Sequence, residues 1–267
     1  MERRPVVAGQ FYPGSRSALE EEVEKLLNTG AKPRKVLAAI APHAGYVYSG
    51  AVAGAVFASA EVPKRCIVLS PNHTGLGTRA AVWTRGSWGI PTGTIAVDEP
   101  LAGALMRRCS ELSEDTSAHA GEHSLEVLLP FLLARQPKLS IVPITLSHLN
   151  VSSCKKIGDA IAGAIREEKE DILIVASTDM NHYEEQERTM KKDRMAIERV
   201  LALDAEGLLT TCGENRISMC GVVPTAVAIY ACKELGAKKA TLIKHTTSGE
   251  VSGDFSAVVG YAGFVIE

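Results

Sequence analysis

The chain has 267 residues, is 46% hydrophobic and 22% charged, and carries a formal net charge of -2. That balance describes an ordinary soluble globular protein with room for one large α/β domain. It gives no electrostatic footprint for nucleic acid, and no apolar run approaches the roughly 20 residues of a membrane helix.

The opening MERRPVVAGQFYPG has two arginines but no long apolar core, so it does not read as a signal peptide. Its GQFYPG part reads as an ordered loop, because Phe11 and Tyr12 need somewhere to pack. Ser17 and Glu20 have capping-box spacing and predict a helix with Leu19, Val23, Leu26 and Leu27 on one face, stopped by Gly30. Val36 to Ala41 is a short apolar run of strand length, ended by Pro42. Ser49 is expected to cap a small-residue helix from Gly50 to Ala60. Arg65 to Ser70 reads as a second buried strand, and Ala80 to Thr84 with Thr92 to Val97 as a hairpin-like excursion. Asp98 caps a helix reaching about Cys109, and Ser110 to Gly121 is loop-like. Glu122 to Ala134 reads as a buried helix that Pro130 kinks or breaks.

Leu139 to Leu146 predicts a third strand, Ser152 to about Glu167 an amphipathic helix, and Asp171 to Ser177 the clearest buried strand. A charged helix spans Glu184 to Leu203, Asp204 caps another, and Pro224 sits in the first turn of a helix ending near Gly236. Ala240 to Lys244 and Ala257 to Val265 close the chain as strands. Strand and helix alternate throughout without a linker, which predicts a single α/β domain over 1–267, a mixed sheet with helices on both faces. Six cysteines occur without a CxxC pair. That argues against a zinc ribbon or disulfide scaffold and for a reducing, cytoplasmic setting.

Several expected strand ends carry polar groups: His43, His73, and Asp179 three residues before His182. The carboxyl edge of an open α/β sheet is where ligands bind. A helix amino terminus beside His43 disfavours imidazolium and keeps the ring neutral, able to bind a metal. Cys220 precedes another expected helix start, where the dipole favours thiolate. Two imidazoles plus a thiolate or carboxylate make an open three-ligand site. The plainer alternatives are a small buried hydrophobe for Cys220 and a helix cap for Asp179. The functional ones are a sulfur ligand and a residue that orients a ring nitrogen. His182 is either a satisfied core histidine or a general base. His119 and His123 have i, i+4 spacing, but HAGEH lacks the glutamate position of a zincin and contains Gly121. Glu122 and His123 either edge the cleft or serve as a capping acid and a rim histidine. His148 and His245 read as structural.

IAPHAGYVYSG, SPNHTG, EHSLEVLLPFL, STDMNHY and MCGVVP, in that order, resemble the Memo family, also named AmmeMemoRadiSam system protein B. That family is similar in fold to class III extradiol dioxygenases, which use non-haem iron, so the resemblance implies a three-layer α/β/α domain. It also implies that His43, His73 and Cys220 are metal-site positions, that Asp179 and His182 line the same pocket, and that His182 matches the dioxygenases' base. A cysteine stands where those enzymes carry a glutamate ligand, and thiolate favours copper, zinc or a differently tuned iron. The family name implies radical-SAM and AMMECR1-type protein partners.

The leading expectation is a metal-binding, dioxygenase-like oxidoreductase. Its ligands are His43, His73 and Cys220, its catalytic groups His182, Asp179 and His123, and its cofactor iron or copper, with zinc as a further candidate. A small-molecule substrate or a peptide enters at the carboxyl edge of the sheet, and neither nucleic acid nor membrane is involved. Two rivals use the same residues: a catalytically silent peptide- or protein-binding module, and a hydrolase with Cys220 as nucleophile and His182 as base.

Overall fold

Alternation along three strands decides the architecture. In the computed structural model, which describes residues 1–267, Ala38 and Ile40 enter one apolar core and Ala39 and Ala41 another. Ile67 and Leu69 face the first core while Cys66 and Val68 face the second, and Ile174 and Ala176 part from Leu173 and Val175 in the same way. Successive side chains point to opposite faces of a strand. Strands covered on both sides therefore read as unbroken apolar runs.

The strands are β1 (Glu2–Arg3), β2 (Ala38–Ala41), β3 (Arg65–Pro71), β4 (Ala80–Val82), β5 (Ser87–Ile90), β6 (Gly93–Val97), β7 (Ser113–Glu114), β8 (Ser140–Leu146), β9 (Ile172–Ser177), β10 (His182–Glu184), β11 (Ala240–Thr247) and β12 (Val258–Ile266). The helices are α1 (Arg16–Leu27), α2 (Tyr46–Ser59), α3 (Glu99–Arg108), α4 (Ser117–Ala120), α5 (Leu129–Arg135), α6 (Val151–Glu167), α7 (Gln186–Leu201), α8 (Ala205–Glu214), α9 (Val222–Glu234) and α10 (Gly249–Ser252). One mixed sheet runs β1-β5-β6-β8-β3-β9-β2-β12-β10, with β11 also on β12 and β4 on β8 and β7. Leu19, Phe57 and Phe131 bring α1, α2 and α5 onto one face, and Leu105, Ile157, Ile197, Leu208 and Ile229 bring α3, α6, α7, α8 and α9 onto the other. The result is the three-layer α/β domain expected from the sequence.

Register positions the site. Strands β2, β9 and β3 are parallel neighbours, with Ala41 beside Ser177 and Leu69 beside Ala176. Their carboxyl ends therefore lie side by side.

Local chemistry bore out some boundaries and corrected others. Asp98 and Asp204 cap α3 and α8, accepting the N–H groups of Leu101 and Gly207. Ser17 makes no capping box, because α1 already starts at Arg16 and its N-cap position is Ser15. Helix α2 starts at Tyr46, before Ser49, whose hydroxyl instead donates to the Ala44 carbonyl. The Tyr46 N–H finds the Phe11 carbonyl, so a loop remote in sequence takes the role expected of a cap. The hairpin joins β5 to β6, whereas β4 pairs antiparallel with β8. The helix expected over Glu122 to Ala134 is broken into a 3-10 turn, Glu126–Leu128, and α5, with Pro130 in the first turn.

The amino-terminal segment is strapped to that broken stretch. Arg3 Nη1 donates to Glu126 Oε2 at 2.6 Å, Arg3 Nε to the His119 carbonyl at 2.8 Å, and Arg3 Nη2 to the Glu122 carbonyl. Its guanidinium lies over the Trp88 ring, 4.2 Å from the centroid. Glu126 also accepts the N–H groups of Val6 and Val7 and the Tyr12 hydroxyl. The Phe11 and Tyr12 loop is thereby ordered, as the sequence required.

Candidate metal centre

His43, Asp179 and His73 each stand two residues beyond the last residue of β2, β9 and β3. The parallel register turns this common offset into spatial convergence. His123 joins them from the loop between α4 and the 3-10 turn. One ring nitrogen from each of His43, His73 and His123 lies within 4.8 Å of the others, so the group could hold a metal ion. The three ring centroids are 4.9 to 5.6 Å apart.

Hydrogen bonds behind the rings fix which nitrogens face inward. The Ser177 hydroxyl donates its one proton to the Ser124 carbonyl at 2.7 Å. It must therefore accept from His43 Nδ1, 2.7 Å away, which assigns the proton to Nδ1 and leaves the Nε2 lone pair open. His73 Nδ1 lies 2.9 Å from Glu122 Oε1, and its backbone N–H donates to Oε2 at 2.5 Å. Glu122 Oε1 also accepts the N–H and hydroxyl of Ser124. A carboxylate on the outer nitrogen of a ligating imidazole fixes its tautomer and raises its basicity.

Electrostatics follow from this arrangement. Burial keeps His43 neutral far below the usual imidazole range, and the neighbouring His73 and His123 add to the effect. Burial also lowers His123. For His73 burial pulls the same way, but the Glu122 hydrogen bond wins and raises it. Burial works against the charge of Glu122, yet His73 and Ser124 hold its carboxyl down at about 2.

Of the other residues singled out in the sequence, Cys220 comes beside His43 with Sγ 3.4 Å from Nε2. The Asp179 N–H donates to the same sulfur at 3.2 Å. Gly221 permits this approach, since a Cβ there would collide with the Ser177 carbonyl and Thr178. The thiol is not dipole-activated as its place before α9 suggested: burial and the Asp179 charge push it up. Asp179 caps no helix, because α7 begins only at Gln186; its Oδ1 accepts the His43 N–H at 2.8 Å and fixes the loop after β2. His182 lines the same cavity, and its buried Nδ1 has no hydrogen-bond partner. His119 lies apart, with Nδ1 against Thr145 Oγ1 at 3.0 Å and Nε2 against the Ala81 carbonyl at 3.2 Å.

Sequence reasoning missed Ser177 and Ser124, and it left Glu122 between cleft edge and helix cap. The one available signal was that Ser177 closes the most apolar strand at the ligand edge.

Two measurements check this layer. Glu122→Gln is expected to lower metal affinity about 10–100-fold, because the outer partner of His73 loses its charge; a chelator-competition titration with unchanged affinity would remove Glu122 from the site. The second concerns His119, which burial holds at about 4 against an ordinary 6.5. Between those values the unfolded chain takes up a proton that the folded chain refuses. Its contribution is thus whole above pH 6.5 and falls, by roughly 3 kcal/mol, as pH drops toward 4. Urea midpoints of His119→Gln should flatten in that window; an unaltered slope contradicts the assignment.

A three-layer α/β domain with a histidine cluster at the carboxyl edge of its parallel strands defines the class of protein. A model of the Memo-like protein family matches residues 3–265. A MEMO1 family protein of Methanopyrus kandleri is 41% identical over 279 residues, covering 99% of each chain. One from Methanothermobacter thermautotrophicus is 39% identical over 98% of this chain and 99% of its own. One from Sulfurisphaera tokodaii is 40% identical over 98% of both. The chain belongs to the Memo family.

Proposed function

We propose that the protein is a metal-dependent, oxidoreductase-like protein whose ion is redox-active, iron or copper. Its donors are the ring nitrogens of His43, His73 and His123, with the Cys220 sulfur beside His43 as the fourth. The observation that carries this reading is the mutual approach of the three ring nitrogens, with Nε2 left open by the partners behind His43 and His73.

The donor chemistry fits such an ion. Neutral imidazoles suit iron, copper and zinc, and a thiolate adds softness that draws copper. A coordinating thiol loses its proton to the metal's charge, which answers the upward push that burial exerts on Cys220. The separation of 3.4 Å between sulfur and Nε2 is what two ligands on one ion require at metal–donor lengths of about 2.0–2.3 Å.

A bound redox ion would supply electron transfer to or from a small molecule held in the cavity. The chain's own residues do the rest. Asp179 holds the His43 backbone in place through Oδ1. His182, whose ring lines the cavity, accepts or returns the substrate's proton. Phe11, packed 4.9 Å from His123 by ring centroids, keeps water from that side of the ring.

Elemental analysis of protein isolated without oxygen tests the proposal. About one iron or copper per chain supports it, and Cys220→Ser, which trades the soft thiolate for a hard oxygen, should weaken copper retention most. Protein holding no transition metal after anaerobic reconstitution rejects it.

A further inference from the structure

The cavity in front of the histidine cluster, about 930 Å³, is lined by 18 residues, and none of them is lysine or arginine. Two are aspartates, Asp179 and Asp254, and four are aromatic: Phe11, Tyr48, Tyr183 and Tyr261. Asp179 is only 5% exposed. Its Oδ1 takes the His43 N–H, and Oδ2 accepts no protein hydrogen bond, with His43 Nε2 standing 4.0 Å away. A carboxylate oxygen left this way faces a cavity that offers it neither lysine nor arginine. Asp254, on the exposed outer edge, engages Ser256 through Oδ1 and leaves Oδ2 for solvent or ligand.

The outer edge is also where the aromatic faces are most open. Tyr183 is 77% exposed and holds a left-handed backbone, φ 59°, while Tyr48 is 39% exposed. A conformation that disfavours bulky side chains, carrying an exposed aromatic at a cavity mouth, presents that ring to whatever enters. Aromatic faces attract ammonium groups and flat rings, and carboxylates beside them strengthen the preference for cations. A phosphate or carboxylate at this edge would meet Asp254 and neither lysine nor arginine.

We infer that the cavity takes a small molecule bearing an ammonium group, its donor atoms inward at the histidine cluster and its cationic end outward among Asp254, Tyr48 and Tyr183. The inner anchor rests on the metal reading above; the outer selection rests on the wall alone. Charge on the ligand's outer end, rather than on its metal-binding head, is what the wall reads.

The test uses three benzhydroxamic acids that share one oxygen-donor head and differ only in the para group: aminomethyl, methyl or carboxylate. Each is titrated calorimetrically into full-length protein, metal-free and metal-loaded, at neutral pH. The aminomethyl probe is expected to bind about 10-fold tighter than the carboxylate probe in both forms, a difference of about 1.4 kcal/mol. Asp254→Asn should shrink that ratio to about 3-fold, and Tyr183→Asn, which suits the left-handed backbone, should weaken the aminomethyl probe most. Equal affinities, a tighter carboxylate probe, or no binding of the aminomethyl probe to either form at millimolar concentration overturns the inference. Metal loading reports separately: tightening of all three probes alike supports the metal centre. A charge order that persists with no effect of loading upholds the wall and rejects the centre.

Discussion

Protein carrying His43→Ala is expected to come out of anaerobic metal loading with almost no bound ion. Structural metal binding of roughly 10–16 kcal/mol spread over four donors leaves roughly 3 kcal/mol for each, so losing one costs about 100-fold in affinity. His43 should exceed that share. It is buried, it is the ring nearest Cys220, and its Nδ1–H is already committed to Ser177. Its Nε2 faces the Cys220 sulfur, itself a donor to the proposed ion. His73→Ala should behave alike, whereas His182→Ala should keep the ion, since its ring is outside the group of three. Inductively coupled plasma analysis of the three variants beside the parent checks the pattern. Full occupancy in His43→Ala would place the ion elsewhere.

The second large effect is on stability. Arg3→Met should destabilise the fold by about 3–5 kcal/mol, because it strands Glu126 as an uncompensated charge in the interior. The pair is well sequestered, with side chains 2% and 0% exposed. Against a total stability of about 5–15 kcal/mol that loss is large. The consequences reach the site, since Arg3 also holds the carbonyls of His119 and Glu122, on either side of the turn that delivers His123. The double variant Arg3→Met with Glu126→Leu should recover most of the loss, as apolar replacements of buried pairs often do. Urea unfolding of both proteins decides the matter. A shift under about 1 kcal/mol for Arg3→Met would mean that water reaches Glu126.

What could be read in the sequence, and what could not, divides along a physical line. Strands β3, β8 and β9 were legible because burial on both faces forces continuous apolar runs, and Pro42 marked where β2 ends. His43, His73 and Asp179 were legible as strand-end residues, and parallel register then brings such residues together. Helix starts were less legible. The Tyr46 amide is satisfied by the Phe11 carbonyl, and no local pattern announces a partner 35 positions away. Glu122 looked like a candidate cap because its true partner, His73, is 49 positions distant. His123 stood between a catalytic cleft residue and a rim residue, because the Arg3–Glu126 pair that braces its loop spans 123 positions. The state of Cys220 also depended on three dimensions. A helix start argued for thiolate, and burial beside Asp179 argues more strongly for thiol until a cation arrives.

The sharpest test of the metal centre is X-ray absorption at the edge of the ion loaded into the unmodified protein. A shell of nitrogen at about 2.0–2.1 Å with imidazole outer scattering, together with one sulfur near 2.3 Å, is the expected result. An all-oxygen shell lacking imidazole and sulfur contradicts it.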